Sequence, residues 1–133
     1  MKKLITAAKA AMDNAYAPYS GFRVGAALLC ADGSIYTGCN IENAAYGPTN
    51  CAERTAFFKA VSEGKREFAA IAICGGKGGR ITSVCPPCGV CRQVMREFCA
   101  DDVEIYLIGA GDRTEKYTLS QLLPHSFAPE ICL

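Results

Sequence analysis

The 133-residue sequence contains no run of Lys or Arg longer than two, and its formal net charge is only +1. That removes the basic stripe with which a nucleic-acid or membrane-surface binder holds phosphates. No stretch approaches the roughly 18 apolar residues of a transmembrane helix. Met1-Lys2-Lys3-Leu4-Ile5 opens like a secretory leader, but Lys9 and Asp13 interrupt the apolar stretch before a leader's hydrophobic segment is complete. A cytoplasmic protein without a membrane partner is expected. Gly75-Gly76-Lys77-Gly78-Gly79 lacks the spacing and the trailing Ser or Thr of a phosphate-binding loop. It reads as a flexible surface loop.

Cysteine, by contrast, is abundant, with nine in the chain. An odd number cannot all pair within one chain, and a reducing cytosol would keep them as thiols. Some are then available for a metal. Others, such as Cys30 and Cys74 inside apolar runs, read as small buried hydrophobes. Half the residues are apolar and a fifth charged, the balance of a soluble globular domain. The length suits one domain spanning residues 1–133.

Periodicity places the elements. Leu4, Ile5, Ala8, Ala11, Met12 and Ala15 share one face of a helix that Pro18 ends. Phe22 to Cys30 reads as a buried strand, Asp32-Gly33 as a hairpin turn, and Ser34 to Cys39 as its antiparallel partner. Asn50 is a candidate N-cap for a helix from about Cys51 to Ser62, with Gly64 as its stop. Phe68 to Cys74 reads as a strand buried on both faces, Cys88 to Cys99 as a helix after Pro86-Pro87, and Glu104 to Ile108 as a fourth strand. Thr118 to Leu123 suits a short helix, with a fifth strand around Lys116-Tyr117. Strands alternating with helices indicate an α/β layered domain.

Pro87-Cys88-Gly89-Val90-Cys91 is the strongest chemical signal. Two cysteines three apart at a helix N-terminus can aim both sulfurs at one metal, and the free N–H groups there favour thiolates. Alone, the pair suits a redox dithiol or half a zinc ribbon equally well. A ribbon needs a second close pair, which the sequence lacks. Cys85 lies three before Cys88, so Cys85-Cys88-Cys91 is one possible ligand set. Cys51-Ala52-Glu53 is the other half of the alternative. Three protein ligands would leave zinc a fourth position for water, and a carboxylate beside that water can move its proton. A helix start with a buried cysteine and a Glu at its dipole explains each half separately, though not their co-occurrence.

These motifs resemble the zinc deaminases, whose signature joins an x-Glu element to Pro-Cys-x-x-Cys. Over nearly its whole length the sequence is similar to the small homotetrameric cytidine deaminases. The matching stretches are Ala17-Pro18-Tyr19-Ser20, Phe22-Arg23-Val24-Gly25-Ala26-Ala27 and Thr37-Gly38-Cys39-Asn40-Ile41-Glu42-Asn43-Ala44. They continue with Cys51-Ala52-Glu53-Arg54, Pro87 through Gln93, and Leu122-Leu123-Pro124 with Phe127. The resemblance implies a three-layer α/β/α sandwich around a mixed five-stranded sheet. It implies one Zn²⁺ per chain on Cys51, Cys88 and Cys91, with Glu53 as the catalytic proton shuttle. It further implies Asn40 and Glu42 at the ribose, and Phe22, Ala52 and Phe127 among the substrate-binding residues. Phe127 would come from a neighbouring subunit of a homotetramer with shared active sites, and Tyr46 would reach across a subunit interface. Arg54 would donate to the zinc thiolates.

The expected reaction is hydrolytic deamination of free cytidine and deoxycytidine to uridine and deoxyuridine plus ammonia, a step of pyrimidine salvage. Three thiolates around Zn²⁺ carry a net charge of −1, which a guanidinium at Arg54 would offset. The plain alternatives are an exposed ion-pairing role for Arg54, turn chemistry for Asn40 and Glu42, and core packing for Phe22 and Phe127. His125 stands in the tail and is read as structural, since three cysteines already suffice. A deaminase of cytosine-containing antibiotic nucleosides shares the metal motifs, but the Asn40 to Asn43 stretch favours plain nucleosides. Nucleic-acid editing deaminases usually carry His where this sequence has Cys51, and a basic groove is absent. A structural zinc module would fill the fourth position with protein.

Overall fold

The computed structural model describes residues 1–133. Helix α1 (Lys2–Met12) leads into a hairpin of β1 (Phe22–Cys30) and β2 (Ile35–Cys39). Then come α2 (Ala52–Ser62), β3 (Phe68–Lys77), α3 (Gly89–Phe98), β4 (Glu104–Ile108), β5 (Thr114–Thr118) and α4 (Leu119–Leu122). The strands form one sheet in the order β2-β1-β3-β4-β5. Only β3 and β4 pair in parallel, and α3 makes the crossover between them. All other neighbours are antiparallel, so the sheet is mixed.

Side chains alternate across the sheet, and the two faces receive different helices. Leu28, Ile71 and Ile73 face α2 and α3, where Phe57 and Met95 complete a core of large side chains. Ala27, Ala70 and Ala72 face α1, meeting Leu4, Ala8 and Met12. Helix, sheet and helix pair make the three layers expected. Small residues on the α1 face let that helix come down onto the strand backbone. A Cβ on Gly25 would lie 2.1 Å from the Ala8 carbonyl oxygen.

Several local expectations need correction. Helix α1 stops at Met12, with Asp13 as its C-cap, so Ala15 is buried beyond the helix rather than in it. Asn50 does not cap α2; Cys51 is the N-cap, while Asn50 Nδ2 donates to Thr55 Oγ1 at 3.1 Å. The glycine run is only partly a loop. Gly75 and Gly76 continue β3, paired with Val24 and Arg23, and only Gly78 and Gly79 turn, with φ of +61° and +83°. Strand pairing explains the difference: β1 extends to Phe22 and supplies β3 with partners through Lys77. The fifth strand, its short helix and the burial of Cys30 and Cys74 agree with expectation. Thr118 and Gln121 form a reciprocal capping box at α4.

Candidate active site

Two helix N-termini converge on one spot. Cys51 caps α2 and Cys88 caps α3, both with extended backbones, and Cys91 lies one turn into α3. The three Sγ atoms lie within 4.8 Å of one another. Cys51 and Cys88 are 3.7 Å apart. Tetrahedral zinc with sulfur ligands at about 2.3 Å requires sulfurs about 3.8 Å apart, so the donor set fits a zinc ion. Cys85 is excluded from that group, which corrects the Cys85-Cys88-Cys91 alternative. Its Sγ instead lies 3.1 Å from where a Cβ on Gly75 would stand, and burial pushes the thiol up to about 11. His125 is exposed, with a left-handed φ of 54°, and is no part of the cluster.

Glu53 follows in the first turn of α2 and is 4% exposed. Burial pushes its carboxyl up to about 7; its own backbone N–H works against this, and the charge of Cys51 adds to it. Cys91 hydrogen-bonds Cys51 and pulls that thiol down to about 5, with Arg54 assisting, while Cys91 itself is held strongly protonated. Arg54 donates from its guanidinium to Cys51 Sγ at 3.2 Å. Its Nε is buried without an acceptor in this chain. Ala52 opens α2 and is fully buried.

Asn40 is held by β1: its Nδ2 donates to the Phe22 carbonyl at 2.8 Å, and its Oδ1 accepts from the Val24 N–H at 2.9 Å. Glu42 accepts from the N–H groups of Tyr19 and Ser20, both at 3.0 Å, and from the Ser20 hydroxyl. These hydrogen bonds, chiefly from Ser20, hold its carboxyl below the usual range and keep it ionised. Glu42 lines a cleft of about 310 Å³ with Tyr19, Ser20, Asn43, Tyr46 and Thr49.

The structure therefore joins Cys51, Glu53, Arg54, Cys88 and Cys91, and separately joins Glu42 with Tyr46. Phe127 is not brought to either group. It lies on the C-terminal segment, its ring exposed and its carbonyl accepting from Gln93 Nε2 at 2.9 Å. Sequence reasoning assigned no role to Arg92 and Gln93. Arg92 donates to the carbonyls of Pro87 and Leu122, each at 2.7 Å, tying the residue before Cys88 to the C-terminal segment. Their place directly after the metal pair was the available signal.

A family model for the "cytidine and deoxycytidylate deaminase zinc-binding region" matches residues 1–107. The chain belongs to this deaminase family. Such membership makes it an enzyme, and the convergent cysteines match the zinc-binding region that defines the family. The chain is 52% identical over 130 residues to a cytidine deaminase of Sporosarcina psychrophila, covering 98% of this chain and 93% of that one. It is 44% identical to a probable cytidine deaminase of Dictyostelium discoideum, covering 98% and 85% respectively. Among solved structures, cytidine deaminase from Burkholderia pseudomallei superposes with a TM-score of 0.88 at 48% identity, covering 95% of this chain and 98% of that one. Within the deaminase family, then, this chain has the fold and a convergent cysteine cluster that could hold a metal ion.

Proposed function

We propose that the chain hydrolyses the exocyclic amine of free cytidine and deoxycytidine, releasing ammonia and the corresponding uridine nucleoside for pyrimidine salvage. The observation that carries this is a buried Glu53 carboxyl, near 7, at the point where three cysteines converge. A zinc ion held by Cys51, Cys88 and Cys91, one per chain, would supply the Lewis acidity that makes a water nucleophilic near neutral pH.

Glu53 takes a proton from the attacking water and delivers it to N3 of the ring. A second proton passes through Glu53 to the amine as the C4–N bond breaks. The ring carbon gains the oxygen of water and loses its nitrogen as ammonia. A group near 7 both accepts and releases a proton at working pH. Arg54 offsets the surplus negative charge of three thiolates through its bond to Cys51. Asn40 and Glu42 bind the ribose, Phe22 and Ala52 flank the base, and Phe127 closes the pocket from a neighbouring subunit. Tyr46 crosses a subunit boundary in the same way, in a cytosolic homotetramer.

Free nucleosides suit this arrangement better than strands. A 3′-hydroxyl donates to an ionised Glu42, whereas an esterified 3′-oxygen has no proton to give and sets a phosphate beside that charge. The near-neutral chain has no basic track to compensate. Zinc-replete protein should therefore convert cytidine and deoxycytidine, followed by ultraviolet absorbance, with far higher kcat/KM than cytosine in a single-stranded oligonucleotide. Metal analysis should give about one zinc per chain. Equal kcat/KM on the oligonucleotide would overturn the substrate assignment.

A further inference from the structure

We propose that Ser20 is a positioning residue that leaves Glu42 a single acceptor site, so that this carboxylate reads one substrate hydroxyl and no more. The inference rests on the ribose role proposed for Glu42.

A carboxylate has about four lone-pair sites on its two oxygens. At Glu42, Oε1 spends both on the backbone N–H groups of Tyr19 and Ser20. Oε2 spends one on the Ser20 hydroxyl. That hydroxyl has one proton, and its direction is set because Ser20 Oγ also accepts the Phe22 N–H at 3.0 Å. One lone pair on Oε2 is left for a ligand in the cleft that both side chains line.

The turn carrying Ser20 is itself held from behind. The Gly21 N–H donates to the Ala17 carbonyl at 2.9 Å, and the Gly78 N–H to the Gly21 carbonyl at 2.7 Å. Lys77 Nζ donates to the Ser20 carbonyl at 2.6 Å. Its stem passes 3.4 Å from the position a Cβ would take on Gly21, whose φ is +70°. The donors facing Glu42 are therefore in place before a ligand arrives, and preorganisation of this kind lowers the cost of binding.

The consequence concerns vicinal hydroxyls. An untethered carboxylate can accept from both hydroxyls of a ribose at once. Held by Ser20, Glu42 accepts from one, so a missing 2′-hydroxyl costs it nothing, while a missing 3′-hydroxyl leaves the remaining lone pair empty. Cytidine and deoxycytidine then bind alike, and 3′-deoxycytidine binds poorly.

The test compares Ser20→Ala, Ser20→Thr and Glu42→Gln with the wild type as zinc-replete enzymes on cytidine, deoxycytidine and 3′-deoxycytidine. Ser20→Ala should raise KM for deoxycytidine roughly tenfold with kcat and zinc content retained, because Glu42 is no longer held in place before the ligand arrives. For cytidine it should raise KM less, because the second hydroxyl fills the acceptor site set free. It should also shrink the penalty for 3′-deoxycytidine and open a gap between cytidine and deoxycytidine. Ser20→Thr, which keeps the hydroxyl, should restore the wild-type pattern. An unchanged KM in Ser20→Ala alongside a raised KM in Glu42→Gln would overturn the positioning role and leave the ribose reading standing. An unchanged KM in Glu42→Gln would remove the ribose reading and this inference with it.

Discussion

Glu53 shows what burial does to one residue. Its ordinary value is 4.5, and the folded, metal-free chain holds it near 7, chiefly because desolvation disfavours the carboxylate. The folded state thus binds this proton more tightly than the unfolded state. The resulting stability is fully present below about 4.5 and is lost as pH rises through about 7. The full effect is about 3 kcal/mol. Cys51, pulled down to about 5 by its bond from Cys91, works in the opposite sense as pH rises. A difference between two proteins therefore isolates Glu53. In urea unfolding without metal, Glu53→Gln should gain on the wild type by about 3 kcal/mol between pH 4.5 and pH 8. Parallel pH profiles would show that the carboxyl is not desolvated. With zinc bound, the same variant should lose at least roughly 10²–10⁴ in turnover while keeping its metal, as removal of a general acid–base group predicts. Near-normal turnover would end the shuttle assignment. The Cys51-Ala52-Glu53 and Cys88-Gly89-Val90-Cys91 motifs were legible in the sequence, but spacing left open whether Cys51 or Cys85 joins the pair. The hold of β1 on Asn40 was not legible, because it joins side chain and backbone 16 and 18 residues apart.

Elements meet through backbone at Gly25, beneath α1, and at Gly38, beneath α2. A Cβ on Gly38 would lie 2.4 Å from the Ala52 carbonyl oxygen and 2.5 Å from the Ala56 nitrogen, both backbone atoms of the helix that carries Glu53. Neither can swing aside as a side chain would. Gly38→Ala must push α2 off β2, so it should destabilise the protein by at least the roughly 1–3 kcal/mol of core overpacking. It should also lower activity, by moving Cys51 and Glu53 relative to α3. Gly47 has ordinary φ and open space around its Cβ position, and Gly47→Ala should stay within about 0.5 kcal/mol of wild type. Chemical denaturation of both variants checks this, and equal stability would refute the close-approach argument. The sequence marked α2 as a helix with a stop at Gly64. That the helix lies in backbone contact with β2 depended on which strand stood beneath it.

At the scale of the whole molecule, large apolar side chains remain uncovered. Tyr46 is 82% exposed, Ile131 65%, and Phe127 and Val90 58% each. The buried Nε of Arg54 has no acceptor within the chain. The homotetramer proposed above would give these side chains, and the Arg54 Nε, partners on neighbouring subunits. Light scattering at assay concentration should report an oligomer. Phe127→Ala should raise KM without removing zinc if the ring closes a neighbour's pocket. A fully active monomer would refute shared active sites.

The sequence by itself determined the chemical groups on offer and the order of elements: thiols three apart at a helix start, a carboxylate two residues after a third thiol, and an α/β alternation. These are local patterns, and spacing along one helix turn dictates them. The tertiary structure decided which thiols meet. Cys51 and Cys88, 37 residues apart in sequence, come to 3.7 Å because α2 and α3 pack on the same face of the sheet, whereas Cys85, only three from Cys88, stands over Gly75 and outside the group. It also decided that Gly75 and Gly76 are strand, since β1 offers them hydrogen-bond partners no local rule foresees. Contacts of that kind depend on register and layer order, which arise only when distant segments pair.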